Sequence, residues 1–343
     1  MNDLITSELK RSSDVISRID PAQIRKAADV IKGSVKNGGQ VIFMGNGGSS
    51  ADAQHIAAEF SGRYAFDRPA MAGVCLSNIA PVTAIGNDYS YDLVFKRQIE
   101  AFCRKGDVVV GFSTSGNSKN VVLALEAAKA IGAYTISFTG DCGILREKAD
   151  LPVIIPTKET PRVQEGYLVA CHAICGIVER EIFGKKAVLV DRDDTLAIDA
   201  PYCGDPDKLV LYPGVPEAIS RLNKAGYLVI VVTNQSGIGR GLIDEAALSK
   251  VHERLVNEIA AGGGKIDDIF FCPHHPDDNC GCRKPEIGMG VAAILKHNID
   301  PSRSFMIGDM DRDIEFGKRL GITSFQVKGE RTFVKIVDEI LGK

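Results

Sequence analysis

A chain of 343 residues exceeds the usual size of one domain, and its 45% hydrophobic and 25% charged content is that of an ordinary globular protein. A formal net charge of −3 gives no electrostatic basis for nucleic acid or an anionic membrane surface as partner, and no apolar run reaches membrane-spanning length. Nine cysteines, an odd number, read as reduced thiols of a cytoplasmic protein rather than a disulfide framework, and some of them are free to bind metal. The stretch Met1 to Lys10 is too polar for a secretory leader.

The first 36 residues carry helical periodicity broken at Pro21, which predicts two helices. A strand is expected over Gln40 to Met44, followed by Gly45-Asn46-Gly47-Gly48-Ser49-Ser50 and a helix from Ala51 to Phe60. A Gly/Ser loop between strand and helix offers backbone N–H groups and a helix N-terminus to an anion. A second such junction follows: strand Asp107 to Phe112, the loop Ser113-Thr114-Ser115-Gly116-Asn117-Ser118, and helix Asn120 to Ile131. Neither loop has the P-loop lysine or the G-x-G-x-x-G spacing, so the expected ligand is a phosphate monoester on a small molecule. Strands at Tyr134–Phe138 and Val153–Ile155 and a long helix over Val163–Phe183 complete an alternating pattern that predicts a parallel sheet with helices on both faces. His55 and Glu59 share one helix face, and Gln164 and His172 lie two turns apart on the last helix.

Together Gly45 to Ser49, Asp52-Ala53-Gln54-His55, Glu59, Gly62-Arg63-Tyr64, Asn87-Asp88, the Ser113 to Ser118 loop and Arg162-Val163-Gln164-Glu165 resemble the phosphoheptose isomerases of the sugar isomerase (SIS) fold family. The resemblance implies conversion of sedoheptulose 7-phosphate to D-glycero-D-manno-heptose 7-phosphate. It implies substrate contacts from Asn46, Gly47, Gly48, Asn87, Asp88, Ser113, Thr114, Ser115, Ser118, Glu59 and Gln164. It also implies a zinc site at His55, Glu59, Gln164 and His172, and a homotetramer. Moving a proton between adjacent carbons through an enediol(ate) needs a base and an acid, and Glu59 and His172 are the expected pair. A zinc on the same residues would instead polarise the site, and the sequence does not choose between these. The fold family also includes a non-catalytic relative that binds a replication initiator; Glu59 and His172 favour catalysis.

After Gly184-Lys185-Lys186 a short apolar run, Ala187 to Val190, predicts a buried strand ending in Asp191-Arg192-Asp193-Asp194-Thr195. A D-x-D-x-T loop at a strand's carboxyl end places one carboxylate to attack phosphorus and another to move a proton. Asp199 and Tyr202 lie in the loop that follows. A helix over Pro216–Ala225 and a strand over Tyr227–Val232 lead to Thr233-Asn234-Gln235-Ser236. After a helix over Asp244–Ala261 and a strand over Ile269–Cys272 comes Cys272-Pro273-His274-His275-Pro276-Asp277-Asp278-Asn279-Cys280-Gly281-Cys282. Three thiolates and one imidazole form a closed set suited to structural zinc through Cys272, His274, Cys280 and Cys282; spacing alone does not separate His274 from His275. Arg283-Lys284 follow, and the strand Ser304–Ile307 ends in Gly308-Asp309-Met310-Asp311-Arg312-Asp313. Lys284 would neutralise a phosphoryl group, and Asp309 would share magnesium with Asp191.

These elements in this order resemble the haloacid dehalogenase (HAD) phosphatases, and the zinc loop with Thr233 to Ser236 narrows the likeness to heptose bisphosphate and histidinol phosphatases. The resemblance implies Asp191 as nucleophile and Asp193 as acid and base. It implies magnesium on Asp191, the Asp193 carbonyl and Asp309, and substrate contacts from Asp199, Tyr202, Thr233, Asn234, Gln235, Ser236, Arg283 and Lys284. Asp194 stands where that family usually has glycine, and Met310 where it often has lysine. The expected fold class is α/β, two doubly wound parallel-sheet domains over 1–184 and 185–343: a SIS αβα sandwich, then a Rossmann-like HAD domain with a zinc loop. The expected function is bifunctional, in the supply of ADP- or GDP-heptose precursors for lipopolysaccharide or another surface glycan. A separate heptose 7-phosphate kinase would link the two reactions.

Overall fold

The structure is a computed structural model that describes residues 2–342. Its contacts divide the chain into two compact units, one ending at Ile182 and the other beginning at Phe183.

The first unit runs α1 (Asn2–Ile16), α2 (Pro21–Lys36), β1 (Val41–Gly45), α3 (Gly48–Ser61), β2 (Gly73–Cys75), α4 (Ile79–Asp88), α5 (Lys96–Phe102), β3 (Val108–Ser113), α6 (Lys119–Ile131), β4 (Tyr134–Thr139), α7 (Leu145–Lys148), β5 (Leu151–Ile154) and α8 (Thr160–Phe183). Pro21 does not merely interrupt a helix: it opens α2, where its missing N–H costs nothing, and the Asp20 side chain caps the turn. The five strands are parallel in the order β2-β1-β3-β4-β5. Alternation sorts the side chains. Ile42, Met44 and Val109 pack with Val121 and Leu125 of α6 on one face. On the other, the rings of Phe43, Phe60, Phe112, Phe138 and Tyr167 form a chain of contacts at 5.1–6.5 Å.

The segment between α3 and β3, to which sequence periodicity assigns no element, supplies β2, α4 and α5. β2 is only three residues at the sheet edge, too short to display a period. β5 begins at Leu151, ahead of Pro152, rather than after it. It is the opposite edge strand, where a residue without an N–H is tolerated.

The second unit runs β6 (Ala187–Val190), α9 (Val215–Lys224), β7 (Leu228–Asn234), α10 (Glu245–Ala261), β8 (Asp268–Cys272), α11 (Gly288–His297), β9 (Phe305–Gly308), α12 (Asp311–Arg319), β10 (Thr323–Gln326) and α13 (Phe333–Leu341). Its parallel sheet has the order β10-β9-β6-β7-β8. Val188, Val190, Val229, Val231 and Ile307 face a core shared with α9, α10 and α13. Leu189, Ile230, Val232 and Met306 face one shared with α11 and α12. In both units the fold is the expected α/β class, with helices on both faces of an all-parallel sheet. No helix among the described residues is long and apolar enough to cross a membrane.

Two candidate active sites at the sheet switch points

In an open parallel sheet the ligand crevice forms beyond the strand carboxyl ends where the strand order reverses. In the first unit the chain winds from β1 out to β2 and returns to β3 on the other side, so that point lies between β1 and β3. The loops after these strands are the Gly45–Gly48 and Ser113–Ser118 stretches. They are tied together. The amides of Asn46 and Asn120 hydrogen-bond reciprocally at 2.9 Å, and the Tyr91 hydroxyl donates to Asn46 Oδ1 at 2.9 Å. Ser113 Oγ and Ser118 Oγ are 2.9 Å apart across their loop, while Thr114 and Ser115 lie between them. A Cβ on Gly48 would meet Gln164 Nε2 at 2.5 Å, so a larger residue there would displace the Gln164 amide.

Beside these loops α3 and α8 bring His55, Glu59 and His172 into one group whose ligand atoms lie within 4.8 Å of one another. His55 Nε2 is 3.1 Å from Glu59 Oε1 and 3.5 Å from His172 Nε2. Burial, then the neighbouring His55, lowers the His172 pKa against an opposing pull from Glu59. His172 is therefore neutral near pH 7 and able to give or take a proton at Nε2. Two nitrogens and a carboxylate form a donor set that fits zinc. Gln164 turns its amide to Asp52, donating to Oδ2 at 2.8 Å, and burial raises the Asp52 pKa. Asn87 and Asp88 end α4, exposed, with Asn87 Nδ2 donating to Asp88 Oδ1 at 3.0 Å.

Two supports of this site have roles that the sequence does not display. Tyr64 stacks on His172 with ring centroids 5.5 Å apart. Its backbone N–H and that of Ala65 donate to Glu179 at 3.0 and 2.8 Å, and Glu179 is fully buried with Arg68 Nε 3.0 Å away. Arg68 in turn donates to the carbonyls of Glu59 and Phe60, so a buried ion pair fixes the end of α3 that carries Glu59. Only the buried fraction of Glu179 reveals this, and a glutamate in a helix sequence gives no sign of it.

In the second unit the order reverses between β6 and β9. Val190 pairs with Ile307, and Asp191 N–H donates to the Ile307 carbonyl at 2.9 Å. Asp191 and Asp309 therefore leave adjacent strand ends together. Asp191, Asp309 and Asp313 form one group with carboxylate atoms within 4.8 Å. Asp313, four residues after Asp309, completes it; that spacing in the sequence is the signal it offered. A Cβ on Gly308 would strike the Asp313 carboxylate at 2.5 Å, so only glycine admits it. Burial, then the charges of Asp191 and Asp313, pushes the Asp309 carboxyl up to about 6. Crowded carboxylates of this kind fit a hard divalent cation, which would relieve their repulsion.

Lys284, its side chain 1% exposed, places Nζ 2.8 Å from Asp191 Oδ1 and 2.6 Å from Asp313 Oδ1; the second contact is an ion pair outside hydrogen-bond geometry. Asp193 accepts from Arg192 Nε and Nη2 at 2.9 and 3.0 Å and from Gln235 Nε2 at 2.9 Å, and Gln235 Nε2 also donates to Thr233 Oγ1 at 2.9 Å. Asp199, Tyr202, Thr233, Asn234, Gln235 and Ser236 line the cleft of about 330 Å³ in front of Asp191. Arg283 is not among its lining residues, and its Nη1 is enclosed without a hydrogen-bond partner.

Asp194 sits at φ +51°, a left-handed conformation that favours glycine. Its Oδ1 accepts from the Asp199 N–H at 3.1 Å and the Tyr212 hydroxyl at 3.2 Å. The carboxylate thus braces the following loop, and its charge is partly met by those donors.

Cys272, His274, Cys280 and Cys282 converge. Their sulfurs are 3.3–3.6 Å apart and His274 Nδ1 is 3.2 Å from Cys282 Sγ. Tetrahedral zinc with bonds of about 2.3 Å separates its sulfurs by about 3.8 Å, so the set is close to that size. His275 turns away from the cluster; its Nδ1 accepts from the Asp277 N–H and caps the short turn Pro276–Asp278.

A family model described as SIS domain matches residues 6–140, and one described as HAD-hydrolase-like matches residues 281–337. The phosphoheptose isomerase of Burkholderia pseudomallei (strain 1710b) is 50% identical over 167 residues, 48% of this chain and 85% of its own length. That of Clostridium acetobutylicum is 44% identical over 193 residues, 54% of this chain and 98% of its own. Among solved structures, a phosphoheptose isomerase from Francisella tularensis is 28% identical with a TM-score of 0.50, covering 52% of this chain and 97% of that one. A D,D-heptose 1,7-bisphosphate phosphatase from B. bronchiseptica is 32% identical with a TM-score of 0.43, covering 46% of this chain and 98% of that one. Through its first unit the chain belongs to the phosphoheptose isomerase family, and a HAD-like unit is fused behind it.

Proposed function

We propose that this chain is a bifunctional enzyme of heptose biosynthesis. It would isomerise sedoheptulose 7-phosphate to D-glycero-D-manno-heptose 7-phosphate, and remove the 7-phosphate of D-glycero-D-manno-heptose 1,7-bisphosphate. The observation that carries the reading is the pairing itself: a unit of the phosphoheptose isomerase family precedes a HAD-like unit whose strand-end carboxylates and lysine suit phosphoryl transfer.

In the first site the Gly45–Gly48 and Ser113–Ser118 loops would hold the sugar phosphate. Glu59 takes a proton from C1 of the ketose and returns it to C2. His172 moves the proton between the two oxygens, and its lowered pKa leaves it neutral for both directions. A zinc on His55, Glu59 and His172 would instead supply Lewis acidity at those oxygens, in place of proton transfer by the same side chains.

In the second site an Asp191 oxygen attacks the 7-phosphorus and displaces the sugar oxygen, which takes a proton from Asp193. An aspartyl-phosphate is left on Asp191. Asp193 then takes a proton from water, the water oxygen attacks phosphorus, and inorganic phosphate leaves with Asp191 restored. Lys284, held at Asp191, offsets phosphoryl charge, and Thr233 is available to a phosphoryl oxygen. Magnesium on Asp191 and Asp309 would supply further charge neutralisation. The Cys272/His274/Cys280/Cys282 set would hold a structural zinc.

The two reactions are not consecutive, because C1 must be phosphorylated between them, so a separate kinase is part of this proposal. A cytoplasmic homotetramer assembled through the first unit completes it. The test is product analysis with the purified full chain, supplied with zinc and magnesium, on sedoheptulose 7-phosphate, heptose 1,7-bisphosphate and histidinol phosphate. Aldose from the first and preferential phosphate release from the second are expected. Preference for histidinol phosphate, or binding of the ketose without turnover, would reject the corresponding half.

A further inference from the structure

The phosphatase cleft has an excess of negative charge. Five aspartates line it: Asp191, Asp193, Asp194, Asp199 and Asp309. A divalent cation on Asp191 and Asp309 would balance two of them, yet the ligand it must admit is itself an anion. The cations nearest the nucleophile are already committed. Lys284 is 2% exposed and spends its ammonium on Asp191 and Asp313. Arg192 is 1% exposed and spends its Nε and Nη2 on Asp193. Arg240 does not line the cleft, and its guanidinium lies 5.9 Å over the Tyr202 ring.

Arg312 remains. It stands in the first turn of α12, three residues after Asp309, and lines the same cleft. Its Nε is enclosed and has no hydrogen-bond partner, and among the described residues it makes no ion pair. Met310, beside it, is 44% exposed and brings no charge of its own. A guanidinium that reaches a cleft wall with its donors unspent has the geometry to grip a phosphate oxygen.

We propose that Arg312 is the specificity-determining residue of the second site, holding a second phosphate remote from the one hydrolysed and so selecting sugar bisphosphates over monophosphates. The inference rests on reading the second unit as a phosphatase, and deepens it. A contact to a group that does not react binds ground and transition states alike, so its loss falls mainly on KM.

The test measures kcat and KM of the full chain, wild type, Arg312→Gln and Arg312→Lys, with magnesium. The substrates are heptose 1,7-bisphosphate, fructose 1,6-bisphosphate and p-nitrophenyl phosphate, the last with a single phosphate. For Arg312→Gln, kcat/KM on the preferred bisphosphate should fall roughly 10- to 100-fold relative to p-nitrophenyl phosphate, mostly through KM, as expected for loss of a charged hydrogen bond. Arg312→Lys should restore part of that ratio. If the wild type ignores heptose bisphosphate but the ratio falls on fructose 1,6-bisphosphate, Arg312 keeps its role and the heptose assignment fails. If the wild type hydrolyses heptose bisphosphate and the ratio is unmoved in both variants, or both variants lose the two classes of substrate equally, the role of Arg312 is overturned while the assignment stands. No wild-type preference for either bisphosphate overturns both.

Discussion

At the residue scale two side chains hold positions their types would ordinarily avoid. Asp194 takes φ +51° and compensates by accepting from the Asp199 N–H and the Tyr212 hydroxyl. Replacing it with alanine keeps the left-handed backbone and removes both bonds, so Asp194→Ala should lose about 1–2 kcal/mol in urea unfolding of the second unit. Asp194→Gly should lose less, because glycine adopts that φ freely; the opposite order would refute the bracing role. His252 is buried under Phe271, its Nε2 has no partner, and burial followed by the Arg192 charge pushes its pKa down to about 4. With the folded value below the unfolded one of about 6.5, the unfolded chain binds the extra proton first. Stability is then whole above pH 6.5 and declines as pH falls toward 4. Between pH 7 and 5 the loss from this residue is about 2 kcal/mol. A His252→Phe variant compared with wild type at both pH values should show that increment missing.

At the element scale the catalytic groups are placed by loops that brace one another. Gln235 N–H donates to the Cys272 carbonyl at 2.8 Å, and Gly239 N–H to the Pro273 carbonyl at 2.8 Å. Asn234 exchanges two hydrogen bonds with the Lys284 backbone, at 3.0 and 3.2 Å. The cysteine loop therefore reaches Lys284 through the end of β7 as well as through the chain. Cys282→Ser should reduce zinc content measured by metal analysis, lower the melting temperature of the second unit and cut phosphatase kcat at least tenfold. Isomerase rates should stay at the wild-type value; a fully active phosphatase would show that the loop does not support Lys284. Much of this was legible in the sequence, because each strand ends in residues whose chemistry is conspicuous: Gly45 to Ser50, Ser113 to Ser118, Asp191 to Thr195 and the cysteine cluster. Periodicity located nearly every strand within two residues. It missed β2, three residues long at one sheet edge, and β10, four residues at the edge of the second sheet, and it could not find Glu179 and Arg68, whose role depends on a burial that helical spacing does not encode. Nor could spacing separate His274 from His275, a choice made by which ring turns inward.

At the scale of the whole molecule the chain repeats one solution twice. Each unit is a five-stranded parallel sheet, and in each the candidate chemistry gathers where the strand order reverses. The repetition is physical: strand carboxyl ends at such a point leave a crevice with helix N-termini and loop side chains around it, and phosphate esters suit both. The substrates could not be read from either sheet. They follow from the side chains that each sheet carries and from family membership of the first unit. The central claim is that two different sets of residues, one in each unit, carry the two reactions. It is tested most directly by assaying wild type, Glu59→Gln and Asp191→Asn on sedoheptulose 7-phosphate and heptose 1,7-bisphosphate side by side. Glu59→Gln should lose at least a hundredfold in isomerase kcat with wild-type phosphatase, and Asp191→Asn the reverse, as expected when a proton-transfer base or a nucleophile is removed. Either substitution silencing both reactions, or neither reaction appearing in the wild type, would contradict the account.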